Sequence, residues 1–327
     1  MKTATALLRH AILGLSVDEA SFERRGFSFA PRVVRERLEC VGRTFIRGYN
    51  IAVELGGELG VGARLQGEAE ELRGFAFEGA AMALALLDTV LPWRSDRLAA
   101  FMRRDAAHHI YMAHVGAGWA LARLKRRVAP ALAQFDPLLR WLLLDGYGFH
   151  QGYFHPHRWI GWMATPSLGV GYAARAFDQG LGRSIWFVTG GDAARVHSVI
   201  DRFAPRRRSD LWSGVGLACA YAGGATSATV QAIARAADIF RPDLAQGAAF
   251  AAKTRERAGN EATHTESACR ILCGLSARDA ARITDDALVG LPGDASEPAY
   301  EVWRRRIAER CSDTAHRARA ITAGEAR

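Results

Sequence analysis

The sequence predicts an all-α protein of stacked helical hairpins, either an α/α solenoid or a closed helical array, with repeats of about 33 residues. Three observations predict it. First, a short phrase recurs: Glu78-Gly79-Ala80-Ala81, Val115-Gly116-Ala117-Gly118, Asp145-Gly146-Tyr147-Gly148, Gln179-Gly180-Leu181-Gly182, Ser213-Gly214-Val215-Gly216 and Gln246-Gly247-Ala248-Ala249. Second, its leading glycines lie 37, 30, 34, 34 and 33 residues apart, a period typical of stacked two-helix units. Third, the segments between phrases carry helix punctuation, such as Gly190-Gly191-Asp192, Phe203-Ala204-Pro205, Gly223-Gly224 and Arg241-Pro242.

The elements follow in order. Residues 1–30 form an N-terminal segment whose apolar run, Ala11 to Leu15, is too short to span a membrane. From Glu78 onward each phrase sits on a helix. Mostly small residues two and four places after the leading glycine, His150 being the exception, make a smooth stripe on one face. Glycine costs about 1 kcal/mol against alanine inside a helix, so its recurrence implies tight helix packing. Each unit resembles a tetratricopeptide unit in size, without that family's residue pattern. A degenerate seventh copy is Glu266-Ser267-Ala268-Cys269. No Pro/Ser-rich linker divides the chain, so 1–327 reads as one domain, with 312–327 as a flexible tail.

Composition narrows the function classes. The net charge is +9, carried almost wholly by arginine, since Lys2, Lys125 and Lys253 are the only lysines. The arginines are spread through all units instead of being concentrated with aromatics, which favours solvated helix faces over a nucleic-acid surface. An acidic carrier protein or a lipid surface is the remaining charge-based partner. Cys40, Cys219, Cys269, Cys273 and Cys311 make no metal-type CxxC pair and read as small buried thiols in a reducing, cytoplasmic setting. There is no His-Glu-x-x-His, Walker loop or Gly-x-Ser-x-Gly elbow, and Asp285-Asp286 lacks the further acids of a Mg²⁺ site. The phrase Gly-x-Gly is no dinucleotide fingerprint, because no strand precedes it.

The position before each leading glycine is polar in most copies, on otherwise apolar helices. If equivalent positions share one surface, Glu78, Asp145, His150, Asp178 and Glu266 are the candidate catalytic groups of a groove. His114, Trp119, Tyr153, Arg183, Trp186, Trp212, Gln246 and Lys253 are the candidate substrate-binding residues. The competing reading of the same position is helix N-capping. His114, His150 and Glu78, or Glu261 and His264, are the residues from which a composite metal site is conceivable. Neither spacing is a recognised ligand pattern, so no metal and no cofactor is expected.

Longer stretches around the phrases carry a family resemblance. They include Arg73-Gly74-Phe75-Ala76-Phe77-Glu78-Gly79-Ala80-Ala81-Met82, Phe177-Asp178-Gln179-Gly180-Leu181-Gly182-Arg183-Ser184, Asp210-Leu211-Trp212-Ser213-Gly214-Val215-Gly216 and Glu297-Pro298-Ala299-Tyr300-Glu301-Val302-Trp303. Over roughly residues 20–310 the chain resembles the UnbL-like accessory proteins of bacterial enediyne antibiotic biosynthesis. That resemblance implies a cytoplasmic protein, or one held at a membrane through a partner. It implies action on, or binding of, the linear polyene or polyyne made by the enediyne polyketide synthase. It also implies UnbU-like membrane and UnbV-like proteins as pathway partners. It assigns no catalytic residue. The alternative expectation is a non-catalytic scaffold that assembles the pathway proteins.

Overall fold

The computed structural model describes residues 4–57, 60–91, 96–169 and 171–325. Lys2 and Trp93, and residues 326 and 327 of the expected tail, lie outside them. Two short helices, α1 (Ala4–Leu13) and α2 (Phe22–Arg25), precede the long α3 (Arg32–Leu55). Next come α4 (Val61–Leu65), α5 (Arg73–Val90), α6 (Arg97–Arg103), α7 (Ile110–Arg123), α8 (Val128–Leu132) and α9 (Trp141–Phe154). A π-helical turn, His157–Gly161, leads to α10 (Ala173–Val188), α11 (Ala193–Asp201), α12 (Pro205–Ala222), α13 (Ser227–Ala236) and α14 (Arg241–Ala258). The chain closes with α15 (Thr263–Leu272), α16 (Ala277–Asp286) and α17 (Ala299–Glu325). The described residues contain no strand. None of their helices is long and apolar enough to cross a membrane.

Local chemistry fixes the helix ends where the punctuation lies. Asp192, Thr226 and Ser276 accept N–H bonds from Arg195, Thr229 and Asp279, at 2.8, 3.2 and 3.1 Å, and so cap α11, α13 and α16. Pro205 and Pro242 occupy the first turns of α12 and α14, where no intrahelical N–H is needed.

The long helices α3, α5, α7, α9, α10, α12 and α14 pack in succession, each on the next. Matching ends meet, so neighbours run the same way. Trp141 packs on Tyr172 just before α10, while Gly152, near the other end of α9, faces Ser184. Arg175 reaches Asp210, and Trp186 donates to the Gly223 carbonyl at 3.1 Å. Shorter helices α11, α13 and α15 form a second line packed on one another.

Each pair of long helices crosses at the glycine phrase, backbone against backbone. A Cβ on Gly146 would stand 2.0 Å from the Val115 carbonyl oxygen, and one on Gly118 1.9 Å from that of Leu143. The reciprocal arrangement recurs between α10 and α12, where a Cβ on Gly214 would stand 1.9 Å from the Gln179 carbonyl oxygen and one on Gly182 2.1 Å from that of Leu211. The first glycine of a phrase therefore meets the preceding helix and the second meets the following one. This is the physical reason for the repeated spacing.

The series also returns on itself. Phe75 of α5 packs on Tyr221 of α12 with ring centroids 5.0 Å apart. Arg37 of α3 donates to the Ala222 carbonyl at 2.9 Å, and Arg255 of α14 to the Glu71 carbonyl at 3.1 Å. Helix α17 packs on α14 and α16, burying Tyr300, Trp303, Arg304 and Ile307. Its first turns are held by polar contacts. Arg304 donates to Asp210 at 2.7 Å and to the Tyr172 hydroxyl at 2.9 Å, and Tyr172 donates to Glu301 at 2.6 Å.

The crossings give a direct prediction. Gly214→Ala drives a methyl into a carbonyl of a rigid helix and should cost roughly 1–3 kcal/mol. Gly293→Ala, at a loop position with nothing within 4 Å of a Cβ, should leave stability unchanged. Urea unfolding of the two variants checks this; equal midpoints would remove the close-approach explanation.

Candidate functional site

The residues preceding the glycines lie well inside their helices, so capping does not explain them. Glu78 is the sixth residue of α5 and Asp145 the fifth of α9. Glu78, Asp145, Gln179, Ser213 and Gln246 are all buried. Ser213 donates to Gln246 at 2.7 Å, and the Tyr300 hydroxyl to Gln179 at 3.2 Å.

At the centre, three helices contribute one ion cluster. Arg183 of α10 pairs with Asp145 of α9, and its other terminal nitrogen stands 4.0 Å from Glu78 of α5. The guanidinium lies 4.5 Å from the centroid of the Phe149 ring. Trp119 of α7 donates its indole N–H to Glu78 Oε1 at 3.0 Å. Both carboxylates and the guanidinium are almost wholly shielded from solvent. Burial pushes the Glu78 carboxyl up to about 7, against the opposing pull of Arg183. Burial raises Asp145 as well, with Arg183 again opposing it. One oxygen of each acid, Glu78 Oε2 and Asp145 Oδ2, makes no hydrogen bond, and neither does Arg183 Nε.

Two apolar clefts flank this cluster. The first has Asp145 and Arg183 in its wall, with Met112, Val115, Leu217 and Trp303. The second has Glu78 and Trp119 in its wall, with Phe45, Met82, Phe149 and Tyr153. The room for water-sized molecules is about 30 Å³ in the first and about 40 Å³ in the second. That holds a few waters, so any chain-like guest has to displace side chains.

The chain matches the family described as "Protein of unknown function (DUF1702)" over residues 4–311. It belongs to that family. No curated protein and no solved structure matches it.

In this DUF1702 chain the candidate residues divide into several groups. Glu78, Asp145, Arg183 and Trp119 come together at the cluster, and Tyr153 lines the second cleft. His150 is buried beside Trp119, with ring centroids 5.5 Å apart, and burial lowers its pKa to about 3, so it is neutral. Gln246 is buried among Ser213 and Arg304. Lys253 lies in the wall of the first cleft, bound at 2.8 Å to Glu256 and 2.7 Å to Asp285.

Others fall elsewhere, which corrects the expectation of a single groove. Asp178 pairs with Arg207 at 2.6 Å, beside the Met163 carbonyl. Adjacent residues point about 100° apart around a helix, so Asp178 cannot share the outlook of Gln179. Glu266 is 38% exposed, binds Arg270 at 2.6 Å and accepts the Ala277 N–H at 2.7 Å. It supports the start of α16 and is remote from the cluster's contacts. His114 faces Phe135 and bonds the Ile110 carbonyl at 2.8 Å. Trp186 serves the Gly223 turn, and Trp212 is fully packed core.

Among the described residues no three His, Cys, Asp or Glu side chains converge as metal ligands. Glu78 and His114 in particular make separate contacts, and His264 contacts Arg255 and the Tyr221 carbonyl. Arg207 and Arg304 were not singled out from the sequence. Neither lies in a glycine phrase; the nearest signal is the short runs Arg206-Arg207-Arg208 and Arg304-Arg305-Arg306.

The raised pKa of Glu78 sets a pH dependence. The native state holds this proton more tightly than the unfolded chain, so Glu78 lowers stability as pH rises from the ordinary carboxylate range to about 7, and no further above it. The wild type should therefore lose stability relative to Glu78→Gln between pH 5 and pH 8. Urea titrations at both pH values test the sign; a constant difference would mean that Glu78 is not perturbed.

Proposed function

We propose that this protein binds a linear, apolar small molecule in its interior. Together with the family resemblance, this makes it an accessory protein of enediyne core biosynthesis that holds the polyene or polyyne from the polyketide synthase. The observation that carries the reading is the pair of almost wholly apolar clefts on either side of the buried Glu78–Arg183–Asp145 cluster. Apolar walls with a few polar groups are the usual form of a small-molecule site. Such a site suits a molecule without charges. The series of long helices returning on itself supports a closed helical array, which shields a reactive conjugated chain from water and oxygen better than an open concave solenoid. In this reading the protein works in the cytoplasm, or beside a membrane through an UnbU-like partner, together with an UnbV-like protein.

The small free volume of the clefts favours one second reading: a scaffold for those partners that never takes the polyene inside. One experiment separates the two. The linear polyene hydrocarbon released by the synthase is mixed with purified protein, and induced circular dichroism is read in the polyene bands. The expected result is an induced band that is lost in Leu217→Trp, which fills the first cleft, and kept in Glu266→Gln, which is remote from both. No induced band in the wild type, or an undiminished one in Leu217→Trp, overturns interior binding and leaves the scaffold. In the producing strain, deletion of the gene should abolish mature enediyne while the linear polyene persists; a normal titre would sink the pathway assignment.

A further inference from the structure

Resting on the reading above, we infer that the interior takes an uncharged chain and rejects the same chain ending in a carboxylate. The charged groups in the cleft walls lead there. The first cleft has Asp145, Arg183 and Lys253, and the second has only the acids Glu19 and Glu78. Both cations are already paired with carboxylates of this chain. Arg183 is bound to Asp145 and stands 4.0 Å from Glu78. Lys253 is held by Glu256 and Asp285. The buried cluster thus sets two carboxylates against one guanidinium.

The unpartnered atoms suit a hydroxyl, which both donates and accepts. Glu78 Oε2 and Asp145 Oδ2 are buried acceptors without donors, and Arg183 Nε is a buried donor without an acceptor. A guest hydroxyl supplies the donor that a carboxylate oxygen lacks. A guest carboxylate brings a third negative charge into a site that has already neutralised its cations, and a buried charge without a partner is strongly disfavoured. The site therefore selects hydrocarbon and alcohol chains over free acids. In reaction terms, it takes a chain whose terminal acid has already been lost or reduced by a preceding decarboxylation or reductive release.

The test uses a matched pair of fluorescent linear tetraenes, parinaric acid and parinaryl alcohol, titrated at pH 8, where the acid is ionised. The alcohol should bind at least roughly tenfold more tightly. Glu78→Gln keeps the shape and removes one carboxylate, so the preference should narrow. Asp145→Asn releases Arg183 and should narrow it further or reverse it; if that variant does not fold, Glu78→Gln carries the comparison. Equal or tighter binding of the acid by the wild type overturns the inference while leaving interior binding standing. Binding of neither chain overturns the parent reading and this one with it.

Discussion

The structure depends on helix backbones that touch. At each crossing of the long helices a glycine lets a neighbouring carbonyl approach to a distance that any side chain would block. Such close contact makes the crossing point rigid and sets the register of each helix against the next. The buried polar groups of the phrases, Glu78, Asp145, Gln179, Ser213 and Gln246, are then positioned by counting from a glycine. The conformational cost of glycine inside helices is offset by dispersion contacts along the whole crossing.

That register has an electrostatic consequence. The residue before the glycine is carried inward on helix after helix, which brings Glu78 of α5 and Asp145 of α9 to Arg183, the residue after the second glycine of α10. A buried pair contributes little net stability, because desolvation cancels much of the attraction. Under the function proposed above, its place in the walls of two apolar clefts makes it a device for selecting a guest. Elsewhere the same economy appears without a cleft: Asp178 and Arg207 satisfy each other and two loop carbonyls, which ties the turn after the π segment to α12.

How much was legible follows from this geometry. The helical class and the inward position of Glu78 and Asp145 could be read because the glycine phrase fixes their register, and Arg183 lies one turn away from Gln179 on the same helix. Glu266 could not be placed, because its copy of the phrase has lost the leading glycine and sits on an outer helix with no crossing to enforce it. Asp178 failed for a different reason: one residue of offset turns a side chain to another face. Arg304 was invisible because its partners Tyr172, Asp210 and Gln246 come from helices distant in sequence, and no local pattern encodes such a meeting. The width of the clefts depends on how Met112, Leu217 and Trp303 pack together, which no spacing rule records.

Helix α17 brings Arg304 to Asp210 across 94 residues of sequence, and to Gln246 across 58. During synthesis α12 and α14 leave the ribosome long before this arginine exists. Gln246 and the inner side of Asp210 must wait for it, exposed to water or to a chaperone. The wall of the first cleft, with Trp303 in it, closes only once α17 has packed, and a message truncated before α17 yields a protein in which that cleft lacks one side.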